Sequence, residues 1–549
     1  MTETTPSPDS PTIAQHVVEA LRLAGCGSLY CLPGVQNDDF FDTLFDADDI
    51  TPIVTRHEQG AAYMAFGAAQ VTGRPAACSV VPGPGLLNAG AALTSAYWAN
   101  ARVLALVGEI PTFARGKAFG LLHELPDQHA VLGQLTKHAA LLDDPEHAVA
   151  DLQVALDQVS GGRPRPVSVE VPVNRWRSHA DGALAAPGPI GPTIDEEALD
   201  RAVSAIRSAE RPLIFVGGGA QDASAEVQEL AELLQAPVTT RRMGHGVVPT
   251  GHPLFAHVTM GHRLWENADV VIGIGSRMEW PLLQWGTDDD QTIIKIDIDA
   301  AELDRHGVGT IGVAGDAAEV CRLLVDAFAA DGRRPDRTDE VASLRHQFEE
   351  ERARLQPQLA YLAAIRDVLP DDGVLVEDVT QLGFASHLGF DFRGPRTFLS
   401  SGAAGTLGAG YAHALGAQHA VQPTGRKVVA VCGDGGFLFT GSELATAVQH
   451  GINLVAIVVA DGAYGNVKRM QQQKFGDDRT IASTLRNPDF AAYARSFGAV
   501  GMNAADPDEV RSCLDEAFSL DQPVIIEVAA GPMPDPWPLL IRPRVRGVR

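Results

Sequence analysis

Two aspartates carry the strongest chemical signal in the chain. Asp434 stands in Gly433-Asp434-Gly435-Gly436-Phe437, directly after the β-branched run Val428–Cys432. Asp461 stands in Ala460-Asp461-Gly462-Ala463-Tyr464-Gly465, directly after the apolar run Leu454–Val459. The pattern predicts a strand, a glycine turn and the helix Ser442–His450, then a second strand ending in a second turn. Both carboxylates are thus placed at the carboxyl ends of strands, where doubly wound sheets hold ligands. Glycines let the backbone approach a phosphate, and the following helix offers unpaired N–H groups. Two carboxylates, a backbone carbonyl and phosphate oxygens suit a hard cation such as Mg²⁺. A single glycine turn of this kind is common, but a paired one is much less so.

The elements needed to hold such turns recur along the chain. Amphipathic helix patterns alternate with short β-branched runs, among them Pro52–Thr55, Ala76–Val81, Val103–Val107 and Val167–Val171. That alternation predicts parallel βαβ units. A Pro/Gly/Ala stretch, Asp181–Pro192, reads as a linker. A second block holds the strand Pro212–Val216, a tight turn at Gly217-Gly218-Gly219 and the helix Ala223–Leu234. The strands Val270–Ile274 and Thr292–Ile298 follow, and the charged stretch Asp331–Glu340 reads as a second linker. The third block has the strands Gly373–Glu377, Lys427–Val431 and Leu454–Val459. The expected fold is α/β, with three doubly wound parallel-sheet modules over residues 12–180, 193–330 and 350–535. Residues 1–10 are polar and are expected to be disordered.

A second anchor lies in the first block. A lone glutamate carries no signal, because most glutamates are solvated. Glu58 stands in Arg56-His57-Glu58-Gln59-Gly60-Ala61-Ala62-Tyr63. Gly73-Arg74-Pro75 and Pro82-Gly83-Pro84-Gly85-Leu86-Leu87-Asn88 follow, and Pro33-Gly34 lies upstream. Taken with the Asp434 and Asp461 turns and the Glu443–Ala447 segment, these motifs resemble the acetolactate synthase / pyruvate decarboxylase superfamily of thiamine-diphosphate-dependent enzymes. The Glu58 segment is similar to that family's RHEQGAA, and Pro82–Asn88 to its SGPGxxN loop. The two turns are similar to its GDG-to-asparagine motif. The resemblance runs from about residue 12 to 535.

The resemblance implies pyrimidine-binding, central and diphosphate-binding modules in chain order. It implies thiamine diphosphate with Mg²⁺ held by Asp434, the residue at 461 and the Ala463 carbonyl. It implies cofactor contacts from Gly433, Gly435, Gly436, Tyr464, Gly465, Pro33 and Asn88. In the family a near-invariant glutamate bonds N1′ of the aminopyrimidine and helps to free the thiazolium C2 proton; Glu58 matches it. An apolar surround would let Glu58 share a proton with that nitrogen. Gly402–Gly408 resembles the family's GLGTMG stretch. That places Leu407 as the wedge that folds the cofactor and the Gly405 carbonyl as acceptor for the 4′-amino group. Thr380 and Gln381 follow another strand end and are placed to reach the diphosphate; for Thr380 a plain helix N-cap is an equal reading. The family's site forms between the first module of one subunit and the third of its partner. A homodimer or homotetramer is therefore expected.

Several positions depart from the family. Ala460-Asp461 stand where it has two asparagines, which keeps an oxygen ligand but adds negative charge beside the diphosphate. Gly108-Glu109-Ile110-Pro111 is similar to the family's GQVP turn. The loop Leu121-Leu122-His123-Glu124 matches neither the Phe-Gln pair of acetolactate synthases nor the His-His pair of pyruvate decarboxylases. His123 is the candidate proton relay, with a surface position as the equal alternative. Glu124 and Glu109 are weaker candidates. Met470 stands where biosynthetic acetolactate synthases have a tryptophan, which argues against strict acetolactate synthesis. Lys468 and Arg469 read as a solvated helix face, with contact to a substrate carboxylate as the alternative. Val35-Gln36-Asn37 replaces the Gly-Ala after the family's Pro-Gly turn. Gly275-Ser276-Arg277 is weakly similar to the GxR segment of flavin-binding members. FAD in the central module is the lesser expectation.

The implied reaction is decarboxylation of a 2-oxo acid and capture of the product by an aldehyde or ketone acceptor. Two alternatives stand beside it: a lyase that releases an aldehyde, and a non-catalytic paralogue, suggested by Asp461. A net charge of −26 repels polyanions, so neither nucleic acid nor an anionic membrane is an expected partner. No run nears the ~18 apolar residues of a membrane span, and the first residues lack a signal-peptide pattern. Six cysteines without a CxxC pair read as buried free thiols in a reducing compartment, and a cytoplasmic location is expected.

Overall fold

The computed structural model describes residues 7, 9–188, 190–305 and 310–547. Most of the stretch expected to be disordered, residues 1–6 and 8, lies outside them. The chain forms three six-stranded parallel sheets with helices on their faces. In the first the spatial order is Thr51–Val54, Ser28–Cys31, Ala76–Val80, Val103–Glu109, Val167–Pro172 and His138–Leu141. The third repeats that order with Phe398–Leu399, Val374–Glu377, Val428–Gly433, Val455–Ala460, Val524–Ala529 and Val500–Ala504. The central sheet is wound differently, with its first strand, Pro212–Val216, beside its fourth, Val270–Ile274. Most strands read as near-continuous apolar runs, β-branched in Pro212–Val216, Val270–Ile274 and Val455–Ala460, because both faces of each sheet are covered.

Winding decides where ligands can sit. In the outer sheets the order reverses between the first and third strands, and the loops there part to leave a crevice. In the third sheet that point lies between Val374–Glu377 and Val428–Gly433. The residues after Glu377 and after Gly433 therefore face one crevice.

The outer modules share one hydrophobic core, whereas the central module has its own. The shared core is organised around the helices Glu58–Thr72 and Ala409–Val421. The first is Ala- and Gly-rich all round, and only Gln59 and Thr72 escape burial. Such a helix belongs inside a protein. A Cβ at Gly67 would overlap the His413 carbonyl, and one at Gly416 would overlap that of Met64. These two glycines set the close crossing, and the Phe66 ring stacks on His413 at 4.3 Å. Burial pushes the His413 imidazole down to about 3, so it packs as a neutral ring. Glu58 opens one of these helices and Leu407-Gly408 lead into the other. The crossing thus ties both to one rigid pair.

Some expectations are corrected. Gly217-Gly218-Gly219 is not a simple turn, because Gly218–Ala223 form a 3₁₀ run. Gly219 N donates to the Gly275 carbonyl at 3.0 Å, which wraps the segment against the neighbouring strand end. The charged stretch Asp331–Glu340 is not linker throughout, since the helix Thr338–Arg352 begins inside it. The segment Ser442–His450 opens with the 3₁₀ turn Gly441–Glu443 before the helix Leu444–His450. The six cysteines are free and five are buried, with Cys513 half-buried. Among the described residues no helix is long and apolar enough to cross a membrane.

Candidate active site

A cavity of about 250 Å³ opens at the switch point of the third sheet. Three helix N-termini converge on it, those of Gln381–Gly389, Asp434–Thr440 and Gly465–Phe475. Each brings unpaired N–H groups and a positive dipole end. Its wall holds the third-module residues for which the resemblance implied a cofactor or metal contact: Thr380, Gln381, Gly405, Leu407, Gly433, Asp434, Gly435, Gly436, Asp461, Ala463, Tyr464 and Gly465; Lys468, Arg469 and Met470 are not on it.

Asp434 is buried and firmly held. Its carboxylate accepts from Gly435 N at 2.6 Å, Gly462 N at 2.8 Å and Asn487 Nδ2 at 2.6 Å. Asp461 Oδ1 accepts from Ala463 N at 3.0 Å. Burial pushes the Asp461 carboxyl above its ordinary value, and the Asp434 charge adds to the shift. Thr380 Oγ1 caps the helix by accepting from Gly383 N at 3.0 Å, and the residue also lines the cavity. Gln381 Oε1 is buried without a partner. Gly405 and Gly408 have φ of 57° and 80°, a left-handed conformation that favours glycine on either side of Leu407.

Among the described residues, none of the first module lies on this wall. Glu58 begins its helix and is 8% exposed. Asn88 Nδ2 donates to Glu58 Oε2 at 3.0 Å, and a Cβ at Gly85 would lie 3.4 Å from Oε1. The Pro82–Asn88 motif therefore packs on Glu58. Pro33 is exposed at the carboxyl end of the strand Ser28–Cys31.

His123 is half-buried, with φ of 66°. Its Nδ1 lies 3.2 Å from Gln36 Oε1, and Gln36 Nε2 donates to the Leu122 carbonyl at 3.4 Å. The departure at Val35-Gln36-Asn37 is thus what holds the His123 loop. Glu124 is engaged locally, accepting from Leu121 N at 2.7 Å. Glu109 is buried beside Glu170, and burial first and Glu170 second push it up to about 8. Gln128 donates to Glu170 Oε1 at 2.8 Å and accepts from Gly83 N at 2.8 Å. Arg469 is not on a freely solvated helix face, because it pairs with Asp535 and bonds Asn466.

Sequence reasoning missed Asn487, Gln128 and Asp378. Asp378 is buried with Oδ2 unpartnered, and burial pushes it up to about 6. A Cβ at Gly436 would lie 2.5 Å from that oxygen. Its position directly after a strand at the switch point was the available signal. A second cavity, of about 260 Å³, borders the central module and is lined by Arg163, Arg241, Arg242, Arg277 and Arg396. Gly275-Ser276-Arg277 lies on its wall.

Three segments of the chain match known domains in order. Residues 11–132 match the thiamine pyrophosphate enzyme N-terminal TPP binding domain, 199–324 the central domain, and 378–528 the C-terminal TPP binding domain. The chain belongs to the thiamine pyrophosphate enzyme family. Among relatives of this thiamine pyrophosphate enzyme, a probable 2-ketoarginine decarboxylase of Pseudomonas aeruginosa is 31% identical over 536 residues, 94% of each chain. A probable acetolactate synthase large subunit of Methanocaldococcus jannaschii is 29% identical over 554 residues, covering 94% of this chain and 92% of that one. The acetolactate synthase large subunit of Haemophilus influenzae is 29% identical over 568 residues, 96% of each. A solved structure, the thiamine diphosphate-dependent 4-hydroxybenzoylformate decarboxylase of Rhodococcus jostii RHA1, has the same fold. It matches with a TM-score of 0.80 over 95% of this chain and 99% of that one, at 21% identity. This thiamine pyrophosphate enzyme thus has both carboligases and decarboxylases among its relatives. The third-module cavity fits the diphosphate end of the cofactor. Helix N-termini attract phosphate, and the glycine cradle is tight enough that a Cβ at Gly435 would lie 2.6 Å from the Tyr464 ring.

Proposed function

We propose that this enzyme decarboxylates a 2-oxo acid and joins the remaining acyl carbon to an aldehyde or ketone, in the manner of acetolactate synthases. The observation that carries the reading is the cavity at Asp434, with its three helix N-termini; the Asn88–Glu58 contact of the first module, away from that wall, supports the pyrimidine end. Gly433, Gly435, Gly436, Tyr464, Gly465, Thr380 and Gln381 take the diphosphate in this reading. Leu407 and the Gly405 carbonyl shape the middle, and Pro33, Asn88 and Glu58 take the pyrimidine. Among the described residues no three His, Cys, Asp or Glu side chains group to hold a metal. In this reading Mg²⁺ is held by Asp434, Asp461, the Ala463 carbonyl and phosphate oxygens. When bound, thiamine diphosphate supplies the acidic carbon that adds to the carbonyl and accepts the electron pair left by CO₂. Glu58 holds a proton at the pyrimidine nitrogen, and Asn88 keeps its second oxygen occupied. His123, with Nδ1 on Gln36, keeps Nε2 as the group that moves a proton to or from substrate.

A partner chain completes the site in this reading. Exposed apolar side chains support it on both modules: Val35, Leu87 and Leu122 on the first, Phe439, Val467 and Met470 on the third. Apolar surface of this kind marks association sites. We read the assembly as a homodimer, or a homotetramer of two such pairs. Modules at 12–180, 193–330 and 350–535 follow the same reading. Six unpaired cysteines suit a reducing, cytoplasmic setting. The arginine-lined cavity keeps FAD as an alternative ligand.

Aldehyde release is the second reading, favoured by Met470 and by the decarboxylase name of the Pseudomonas relative. The test is incubation of the holoenzyme with pyruvate and longer 2-oxo acids, with products identified by mass spectrometry. A 2-hydroxyketone product is expected. Free aldehyde alone contradicts carboligation, and no CO₂ from any 2-oxo acid contradicts both readings.

A further inference from the structure

Glu443 is a buried carboxylate of the third module, fully removed from solvent. It closes the 3₁₀ turn that follows the helix Asp434–Thr440. Its acceptors reach into the first module of the same chain. Arg56 N donates to both of its oxygens, at 3.1 and 3.0 Å, and His57 N donates to Oε1 at 3.0 Å. Thr446 Oγ1 donates to Oε2 at 2.6 Å. Arg56 and His57 are the two residues before Glu58, and His57 is the N-cap of its helix. The carboxylate therefore sits at the positive end of the helix that carries Glu58, where negative charge is favoured. A Cβ at Gly60 would overlap the Glu443 carboxylate, so the first turn of that helix is seated directly on it. The neighbouring helix Leu444–His450 grips the same stretch: His450 Nε2 accepts from Val54 N at 3.0 Å, and Gln449 Oε1 accepts from Arg56 at 2.6 Å.

We infer that Glu443 is a positioning residue for Glu58, fixing the 56–57 turn and with it the direction in which the Glu58 side chain leaves its helix. This rests on the proposed role of Glu58. A buried carboxylate that only glued the modules together would affect stability and leave proton activation alone. One that aims Glu58 controls how well the carboxyl meets its proton partner, and small misplacements there are costly.

The test separates these. Glu443→Gln keeps the volume but turns one acceptor into a donor facing the Arg56 and His57 N–H groups. The folded holoenzyme is expected to bind thiamine diphosphate and Mg²⁺ within about threefold of wild type, with KM for the 2-oxo acid little changed and kcat lowered about 10- to 100-fold. Exchange of the cofactor C2 proton for deuterium, read by acid quench and NMR, is expected to slow by the same factor. In the cofactor-free protein, amide exchange over residues 54–60 is expected to quicken. Gly60→Ala, which crowds the carboxylate from the opposite side, is expected to give the same signature. Glu58→Gln is run beside them. Wild-type C2 exchange in Glu443→Gln, with slowed exchange in Glu58→Gln, overturns this inference and leaves the role of Glu58 standing. Wild-type exchange in Glu58→Gln overturns that role itself. Failure of both Glu443→Gln and Gly60→Ala to fold also counts against the inference, because a positioning residue yields a folded but slow enzyme.

Discussion

Asn487 Nδ2 donates to Asp434 Oδ2 at 2.6 Å, joining two residues 53 positions apart in the chain. Asp434 stands where the third-sheet crevice opens, and Asn487 reaches it from a segment tied back by the Ala463–Thr484 bridge. With Gly462 N the amide occupies Oδ2 and fixes the carboxylate, while Oδ1, which accepts only from Gly435 N, keeps a lone pair for a cation. Hydrogen bonds to charged groups are worth about 1.5–3 kcal/mol. Asn487→Ala is therefore expected to weaken binding of thiamine diphosphate with Mg²⁺ about tenfold or more by calorimetry. Unchanged affinity would show the contact to be incidental.

Asp461 adds a second carboxylate to a cavity that must accept phosphate. Burial and the nearby Asp434 charge both raise its carboxyl above the ordinary range. Its ionised form can hold a cation, but it repels the diphosphate. Asp461→Asn keeps one oxygen ligand and drops the charge. At saturating Mg²⁺ the variant is expected to bind the cofactor about tenfold more tightly, since removing a solvent-screened like charge beside the diphosphate is worth about 1.4 kcal/mol. Weaker binding would mean that the negative charge itself is needed to hold the metal.

Glu109 gives a pH-dependent prediction. Its carboxyl is raised from an ordinary 4.5 to about 8, by burial first and by Glu170 second. Arg115 opposes the shift, while Gln128 and His129 engage Glu170 from the other side. The folded chain therefore binds a proton that the unfolded chain has released. The stabilisation is present below about 4.5 and is lost as pH rises through about 8. Glu109→Gln stays neutral throughout. Its unfolding midpoint, relative to wild type, is expected to climb by several degrees between about pH 5 and pH 8. Parallel curves would place the extra proton elsewhere.

Legibility in the sequence followed the range of each contact. Glu58, Asp434 and Leu407 were readable because each lies in a short motif at a strand end or a helix start, where local chemistry fixes the residue type. The sheets were readable for the same reason, since buried parallel strands leave short apolar runs. Asn487, Gln36 and Glu443 were opaque as site residues, because their bonds to Asp434, His123 and Arg56 cross 53, 87 and 387 positions. No pattern in one chain marks such partners. Gly217-Gly218-Gly219 reads as a tight turn, yet Gly218–Ala223 wind into a 3₁₀ run, because glycine spacing alone does not reveal the Gly275 carbonyl beside it.

The account depends on Glu58 of one chain serving the Asp434 cavity of another. Co-expression of Glu58→Gln and Asp434→Ala chains under different tags, with isolation of the doubly tagged dimer, tests this most directly. A shared site gives each hybrid one intact centre and one doubly damaged centre. The predicted hybrid regains about half of the wild-type activity per dimer although both parents are inactive. A hybrid as inactive as its parents would contradict the account, because each chain would then be building its own site.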